Sequence, residues 1–271
     1  MELRIIHLRE TKSTNDCLLE MDAADDAPDV MTVVVANYQT AGRGQSGNHW
    51  ESEAGKNLLM SVMTHPRRIP VHQQYLLSMA LACALRDVLS HYTDGITIKW
   101  PNDIYWHDKK ISGTLIETRL KDKEISDCIF GIGINVNQTA FQSDAPNPVS
   151  LKNIIQNDTP TQEIMNAVIE RLTHYIKMVE DEIASGMAAS GNASGTSFSE
   201  SKNDTLSSSG IRVDYLKNLY RLDGNMYPFE DNDGQFMASI TTVLPDGTIV
   251  LADSDGQERR YAFKEVKFIV D

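Results

Sequence analysis

The chain has 271 residues, of which 41% are hydrophobic and 23% charged; 38 acidic against 25 basic side chains give a formal net charge of −13. That length supports one or two domains with a substantial core. Sequence-independent nucleic-acid binding draws on clustered positive charge, so the balance argues against that class while leaving room for a local basic pocket.

Cys17, Cys83 and Cys128 lie far apart, and the chain has no CxxC or HxxxH spacing. Neither a disulfide framework nor a structural metal is therefore expected. Glu2 and Arg4 place charge where a secretion signal needs an apolar stretch. The longest apolar run, residues 79–85, is far short of the ~20 residues of a membrane span. These features predict a soluble, cytoplasmic protein without nucleic-acid or membrane partners.

Residues 3–8 read as a first strand. Ser13, Thr14 and Asn15 are N-cap candidates for a helix reaching about residue 24. The β-branched run at 31–38 predicts a buried strand. A glycine-rich loop follows at 42–55, and strand character resumes at 57–63. Leu77, Leu81, Leu85 and Val88 share one face of a helix predicted over 71–92. A short strand at 96–99 stops before Pro101. Residues 104–106 and 110–120 predict a hairpin, and a second turn at 121–123 leads into a strand over 125–137.

Residues 138–160 read as loop. Thr159-Pro160-Thr161-Gln162 fits a capping box at the start of a helix carrying Ile164, Val168, Leu172, Ile176, Val179 and Ile183. Residues 186–210 are rich in Ser, Gly, Ala and Asn and read as a mobile linker. A helix is predicted at 211–221. Four short strands at 235–243, 248–253, 258–263 and 267–270 predict a small barrel, with Pro245-Asp246-Gly247 as a hairpin turn.

Gly42-Arg43-Gly44-Gln45-Ser46-Gly47 matches G-x-G-x-x-G, but no apolar helix and no suitable acid follow, so a dinucleotide site is not expected. Asn57 after Gly55-Lys56 breaks a P-loop pattern. The loop still offers backbone N–H groups and a guanidinium to an anion; read alone, it is equally a flexible surface turn. Lys99-Trp100-Pro101-Asn102-Asp103 packs a cation, an aromatic, an amide and a carboxylate at a strand end, which alone is also a capped strand with Trp100 in the core. Lys110 and Gly113 in Lys109-Lys110-Ile111-Ser112-Gly113 pair ordinary hairpin lysines with a glycine that permits close approach. Gly131-Ile132-Gly133-Ile134-Asn135-Val136-Asn137 gives a strand bare enough to lie flat against a ligand.

Taken together and in this order, these motifs resemble the biotin protein ligase family, over about residues 1–185 and more loosely over the C-terminal strands. The resemblance implies an α+β fold: a central mixed β-sheet flanked by helices, with a small C-terminal Src-homology-type β-barrel. It implies a catalytic domain at 1–223, with its flexible loop at 186–210, and a barrel at 224–271. It implies two half-reactions. Biotin and Mg2+–ATP, both substrates, give biotinyl-adenylate and pyrophosphate; a lysine of a biotin carboxyl carrier domain then takes the biotin and releases AMP.

The resemblance also implies roles for residues. Arg43, Lys110 and Asp103 would be catalytic. Ser13, Thr14, Asn15, Gln39, Gly42, Arg43, Gly44, Lys110, Gly113, Gly131 and Gly133 would bind biotin. Arg43, Gln45, Trp50, Asn57, Lys99, Asn102, Lys110 and Asn135 would bind ATP and the adenylate. No metal ligand is assigned. Every adenylation motif lies before residue 137, which makes the C-terminal strands a separate surface. The chain departs from the family in having Gln45 where a second loop arginine is usual, with Lys56 nearby as a substitute charge. Its start at the first catalytic strand implies no repressor role. The oligomeric state is left open between a monomer and a weak homodimer. The alternatives are a lipoate or octanoate ligase or transferase of the same superfamily, and a non-catalytic biotin-binding module.

Overall fold

The computed structural model describes residues 2–21, 29–142, 147–191 and 210–270. Seven strands form the main sheet: β1 (Glu2–Leu8), β2 (Val30–Ala36), β3 (Leu58–Thr64), β4 (Ile96–Lys99), β5 (Asp103–Trp106), β6 (Lys109–Lys121) and β7 (Glu124–Ile134). Their order is β1-β2-β3-β7-β6-β5-β4. Only the β1–β2 pair is parallel, so the sheet is mixed.

The helices are α1 (Thr14–Leu19), α2 (Tyr75–Leu89), α3 (Leu151–Ile155), α4 (Thr161–Gly191) and α5 (Ile211–Lys217). Strand alternation sorts the residues between two faces. Met60 and Val62 pair with Ile132 and Phe130, and this face packs under α2 and α4 as the main core. The opposite face carries Leu18 of α1 on Val34, Met63 and Ile129. Beside that small cluster, register aligns Ser61 with Gly131 and Gly131 with Leu115, and aligns Leu59, Gly133 and Gly113 in the next row. The site is built on this bare strip.

Several elements differ from the sequence reading. Helix α1 ends at Leu19, and residues 22–24 of its predicted extension lie outside the described residues. Residues 71–73 form a 3-10 turn before α2, because Val71 N–H bonds to Lys123 and Ile69 accepts from Ile125, which ties this segment to β7. The predicted loop at 138–160 contains α3, started by a capping box between Ser150 and Asn153. Thr159 does not open α4: its N–H and C=O both bond to the Asn137 carboxamide, at 2.9 Å each, and α4 begins at Thr161. That helix continues to Gly191, into the segment read as linker; residues 192–209 lie outside the described residues.

The C-terminal region contains five strands where four were predicted: β8 (Tyr227–Asp231), β9 (Gly234–Val243), β10 (Ile249–Asp253), β11 (Glu258–Tyr261) and β12 (Lys267–Phe268). They form a small antiparallel sheet in the order β11-β10-β9-β8-β12, whose ladder does not close into a barrel. Phe229, Ile240, Leu251 and Val266 fill its interior and join the main core without a break.

Trp100 Nε1 donates to the Gly247 carbonyl at 2.9 Å and Arg212 Nε to the Val243 carbonyl at 3.0 Å, which docks this sheet, while the Tyr75 and Tyr215 hydroxyls hold the turn after β4 by donating to the Pro101 carbonyl at 2.9 and 3.2 Å. All three cysteines are free. Among the described residues, no helix is long and apolar enough to cross a membrane, and no group of three or more His, Cys, Asp or Glu side chains is placed to hold a metal ion.

Candidate functional site

The segment after β2 runs beside residues 11 and 12, with Thr40 and Ala41 donating to the carbonyls of Thr11 and Lys12. This fixes Gln39 next to the start of α1. The Gln39 side-chain oxygen accepts from the Thr14 backbone N–H at 2.7 Å and from its hydroxyl at 3.0 Å. Ser61 Oγ sits 2.7 Å from Thr14 Oγ1 and bonds to the Asn15 side-chain oxygen. Asn15 Nδ2 donates to the Leu115 carbonyl at 3.3 Å and to Glu117 at 2.7 Å. Ser13, Thr14, Asn15 and Ser61 are all buried. A polar network this deep is tolerated because its members satisfy one another.

The glycine loop is a tight hairpin with a 3-10 turn at its tip, Gln45–Gly47. Trp50 N–H bonds to Gly42 at 3.0 Å and Gly44 N–H to Asn48 at 2.6 Å. A side chain at Gly42 would meet the Trp50 carbonyl at 2.7 Å, which is why this corner needs glycine. The hairpin lays the Trp50 indole over the strip. A Cβ on Gly113 would be 2.8 Å from the ring, and one on Gly133 would be 2.7 Å from Nε1. Gly131 faces the Asn15 carboxamide in the same way. The bare strip thus first accommodates the protein's own side chains. Trp50 Nε1 is buried with no hydrogen-bond partner in this structure.

Charge collects at the other end. Lys110 is held by backbone bonds to Asn147 and Val149, and its Nζ lies 2.7 Å from Asp103 and 5.9 Å from the Trp50 ring centre. Lys99 Nζ lies over the rings of Phe268 (4.8 Å) and Tyr105 (5.2 Å). Burial pushes its pKa down, only partly opposed by Asp103. Asn102 donates to the Thr114 carbonyl (2.7 Å) and hydroxyl (3.0 Å), which pins the turn after β4. Arg43 is already engaged, with bonds to Glu117 at 2.9 and 3.2 Å and to Asp16 at 2.6 Å. Burial works to lower the Arg43 pKa, but the Glu117 and Asp16 carboxylates raise it above the ordinary value. In this structure the guanidinium fastens the hairpin to β6 and α1.

A cleft of about 430 Å³ brings together Ser13, Thr14, Asn15, Gln39, Arg43 and Gly44 with Gln45, Trp50, Lys99, Asn102, Asp103 and Lys110, over Gly113, Gly131 and Gly133. Three predicted site residues lie outside its lining. Gly42 shapes the hairpin corner. Asn57 bonds to Gln138 and to the Val136 N–H, and Asn135 bonds to the Val149 carbonyl; both hold the chain after β7 in place. Lys56 does not supply charge to the cleft, because it is absent from the lining and interacts with Asp158.

Sequence reasoning missed Ser61, whose signal was a lone serine in an otherwise apolar strand. It missed Asp16 and Glu117, which carry no local signal. It also set the C-terminal strands apart, whereas Phe263, Lys264, Val266, Lys267 and Phe268 line the same cleft.

Residues 8–135 match the biotin/lipoate A/B protein ligase family. The chain is 39% identical over 120 residues to the bifunctional ligase/repressor BirA of Bacillus subtilis, covering 43% of this chain and 35% of that protein. It is 32% identical over 146 residues to the biotin–[acetyl-CoA-carboxylase] ligase of Mycobacterium tuberculosis, covering 52% of each. The matches thus span between about a third and a half of these curated relatives. The fold resembles the biotin protein ligase from Aquifex aeolicus in complex with biotin and ATP, with a TM-score of 0.72, 23% identity and 99% of each chain covered. It also resembles the Leishmania major ligase in complex with biotinyl-5-AMP, with a TM-score of 0.56, 23% identity and coverage of 96% of this chain and 98% of that one.

Proposed function

We propose that the chain, whose residues 8–135 match the biotin/lipoate A/B protein ligase family, is a biotin protein ligase. It would activate biotin with ATP and transfer it to a lysine of a biotin carboxyl carrier domain. One observation carries this reading: a single cleft joins an amide–hydroxyl network at one end to two lysine ammonium groups at the other. A cyclic urea matches the first end and a carboxylate the second. An alkyl chain or a dithiolane would leave the network's remaining polar capacity unused, which disfavours lipoate and octanoate.

In the first half-reaction a biotin carboxylate oxygen bonds to the α-phosphorus of ATP, and pyrophosphate leaves with the electron pair of the broken P–O bond. Carboxylate and triphosphate repel each other, so the step needs fixed cations and N–H donors. Lys110, oriented by Asp103, supplies one such charge. Lys99, half-buried and lacking an ion-pair partner of its own among the described residues, gains by meeting an anion. The unpartnered Trp50 N–H is a further donor available to a ligand. Mg2+ would enter with the triphosphate.

In the second half-reaction the carrier amine attacks the acyl carbon and AMP departs. Asp103, which lines the cleft beside Lys110, would orient that amine and accept its proton. The same reading divides the chain into a catalytic domain at 1–223 and a C-terminal unit at 224–271 that adds residues to the rim of the cleft, and places the protein in the cytoplasm.

Biotin-dependent ATP–pyrophosphate exchange tests the proposal, with lipoate and octanoate as controls. Exchange is expected with biotin alone; exchange driven by lipoate or octanoate instead would refute it.

Gln45 yields a second expectation. It lines the cleft at the hairpin tip, and Lys56 lies elsewhere. Gln45→Arg would add a charge-assisted bond to the adenylate worth about 1.5–3 kcal/mol. Release of preformed biotinyl-adenylate should slow by roughly ten- to a hundredfold. The unaltered protein should accordingly leak adenylate and label bystander lysines. Chase with unlabelled biotin and ATP measures both off-rates, and equal rates would show that position 45 does not retain the intermediate.

A further inference from the structure

Arg43 lines the cleft, yet the protein's own carboxylates already occupy its guanidinium. Nη2 meets both oxygens of Glu117, at 2.9 and 3.2 Å, and Asp16 at 2.6 Å. Neither carboxylate is part of the cleft lining. One cation at the cleft wall is thus shared between two anions that stand outside it.

The two carboxylates are anchored differently. Glu117 lies on β6, paired with Ile129 of β7, and one of its oxygens also accepts from Asn15 Nδ2 at 2.7 Å. The sheet and the amide network therefore fix it without help from the arginine. Asp16 lies in the first turn of α1, and Arg43 is its only ion-pair partner among the described residues. The two anions repel each other, and a third anion at the same guanidinium would add to that repulsion. A ligand anion can meet Arg43 at low cost only if one carboxylate withdraws, and Asp16 is the less anchored. Gln45 gives the hairpin no second guanidinium to take the ligand instead.

We propose that Asp16 is an internal competitor for Arg43, displaced when a ligand anion takes the guanidinium, and that it sets how tightly the cleft holds anionic ligands. The proposal rests on the ligase reading above: the anion is the biotin carboxylate and, once the adenylate has formed, its acyl phosphate. Glu117 keeps its two-pronged contact and holds the arginine at the wall. In the free chain the Asp16 contact ties the hairpin to α1. Binding forfeits that contact, so its strength is subtracted from the affinity. Both side chains are 38% exposed, which limits the subtraction to the worth of a partly solvated ion pair.

The test uses the full chain carrying Asp16→Asn, which keeps the shape of the side chain and removes its charge. Two probes with the same ring are titrated calorimetrically: biotin, which ends in a carboxylate, and biotinamide, which ends in a neutral amide. The Kd for biotin should fall about two- to fivefold, the worth of a partly exposed ion pair, while the Kd for biotinamide stays unchanged. Trypsin cleavage of the ligand-free chain after Arg43, read by mass spectrometry, should quicken, because the guanidinium is less firmly held. Tm should move little, since the lost pair is partly exposed.

Unchanged biotin affinity would overturn the proposal. Weaker biotin binding would overturn it by showing that Asp16 positions Arg43 for the ligand. Equal tightening of biotin and biotinamide would overturn it by showing a reshaped amide network. Tighter biotin binding with unchanged cleavage would overturn it too, because Asp16 would then repel the ligand directly and not through Arg43. The unaltered protein is titrated alongside. If it binds neither probe, the ligase reading and the competitor fall together, whereas unchanged affinity in a biotin-binding variant refutes the competitor alone.

Discussion

Lys110→Ala should lower the single-turnover rate of adenylate formation by about 10²–10³-fold, the usual loss when one charged donor to a developing anion is removed. The backbone of Lys110 is fixed independently of its side chain, through Asn147 and Val149. The ammonium itself is about a quarter exposed, and so is its partner Asp103. Water can therefore solvate the carboxylate left behind, and the ion pair contributes at most about 1 kcal/mol to stability. Melting temperature should barely move while chemistry collapses. A mutant rate within a few-fold of the unaltered protein would remove Lys110 from the reaction.

Gly131→Ala should damage both the fold and biotin binding. The added Cβ would lie 2.9 Å from the Leu115 carbonyl oxygen and would strike the Asn15 carboxamide. Leu115 sits on β6, paired with β7 from Ser112↔Ile134 to Lys121↔Glu124, so its carbonyl has little freedom to retreat. Asn15 must then give up Ser61, Leu115 and Glu117, and with them the fixed position of Thr14. Overpacking of this kind costs about 1–3 kcal/mol, and biotin affinity should fall at least about tenfold. Calorimetric titration with biotin and a thermal melt read the two effects. Retained affinity would show that the Asn15 network does not shape the ligand site.

The two variants separate the roles of the cleft's ends. On the proposed reaction Lys110 would act on charge that develops as the adenylate forms, so its loss should appear in rate. Gly131 sets where the amide–hydroxyl network stands, so its loss should appear in affinity before any chemistry.

The local sequence determined the strands wherever turn chemistry and alternation were enough. The strand ending before Pro101, the hairpin through His107-Asp108-Lys109 and the turn at Lys121-Asp122-Lys123 are found as predicted. These signals depend on a few consecutive residues, so they survive without tertiary information. β8 escaped because Pro228 masks its short alternation, although Asp231-Asn232-Asp233-Gly234 was a readable hairpin turn. α4 outran its prediction because a helix already packed through Val179 and Ile183 can extend its hydrogen-bond ladder into a segment with no apolar face of its own.

The sequence by itself also determined which residue types meet at the site, because the motifs are short and keep their order. Which of them touch was a tertiary decision. Arg43 reads as an anion binder until Glu117, 74 positions away, and Asp16 are brought onto its guanidinium. Gly131 and Gly133 read as bare ground for a ligand until the register of β3, β6 and β7 places Asn15 and Trp50 over them. Lys264 and Lys267 carry no motif, and they enter the cleft because Trp100 docks the C-terminal sheet against the end of β4. Side-chain pairing across a sheet or between packed layers depends on register and docking, and no local stretch of sequence encodes either one.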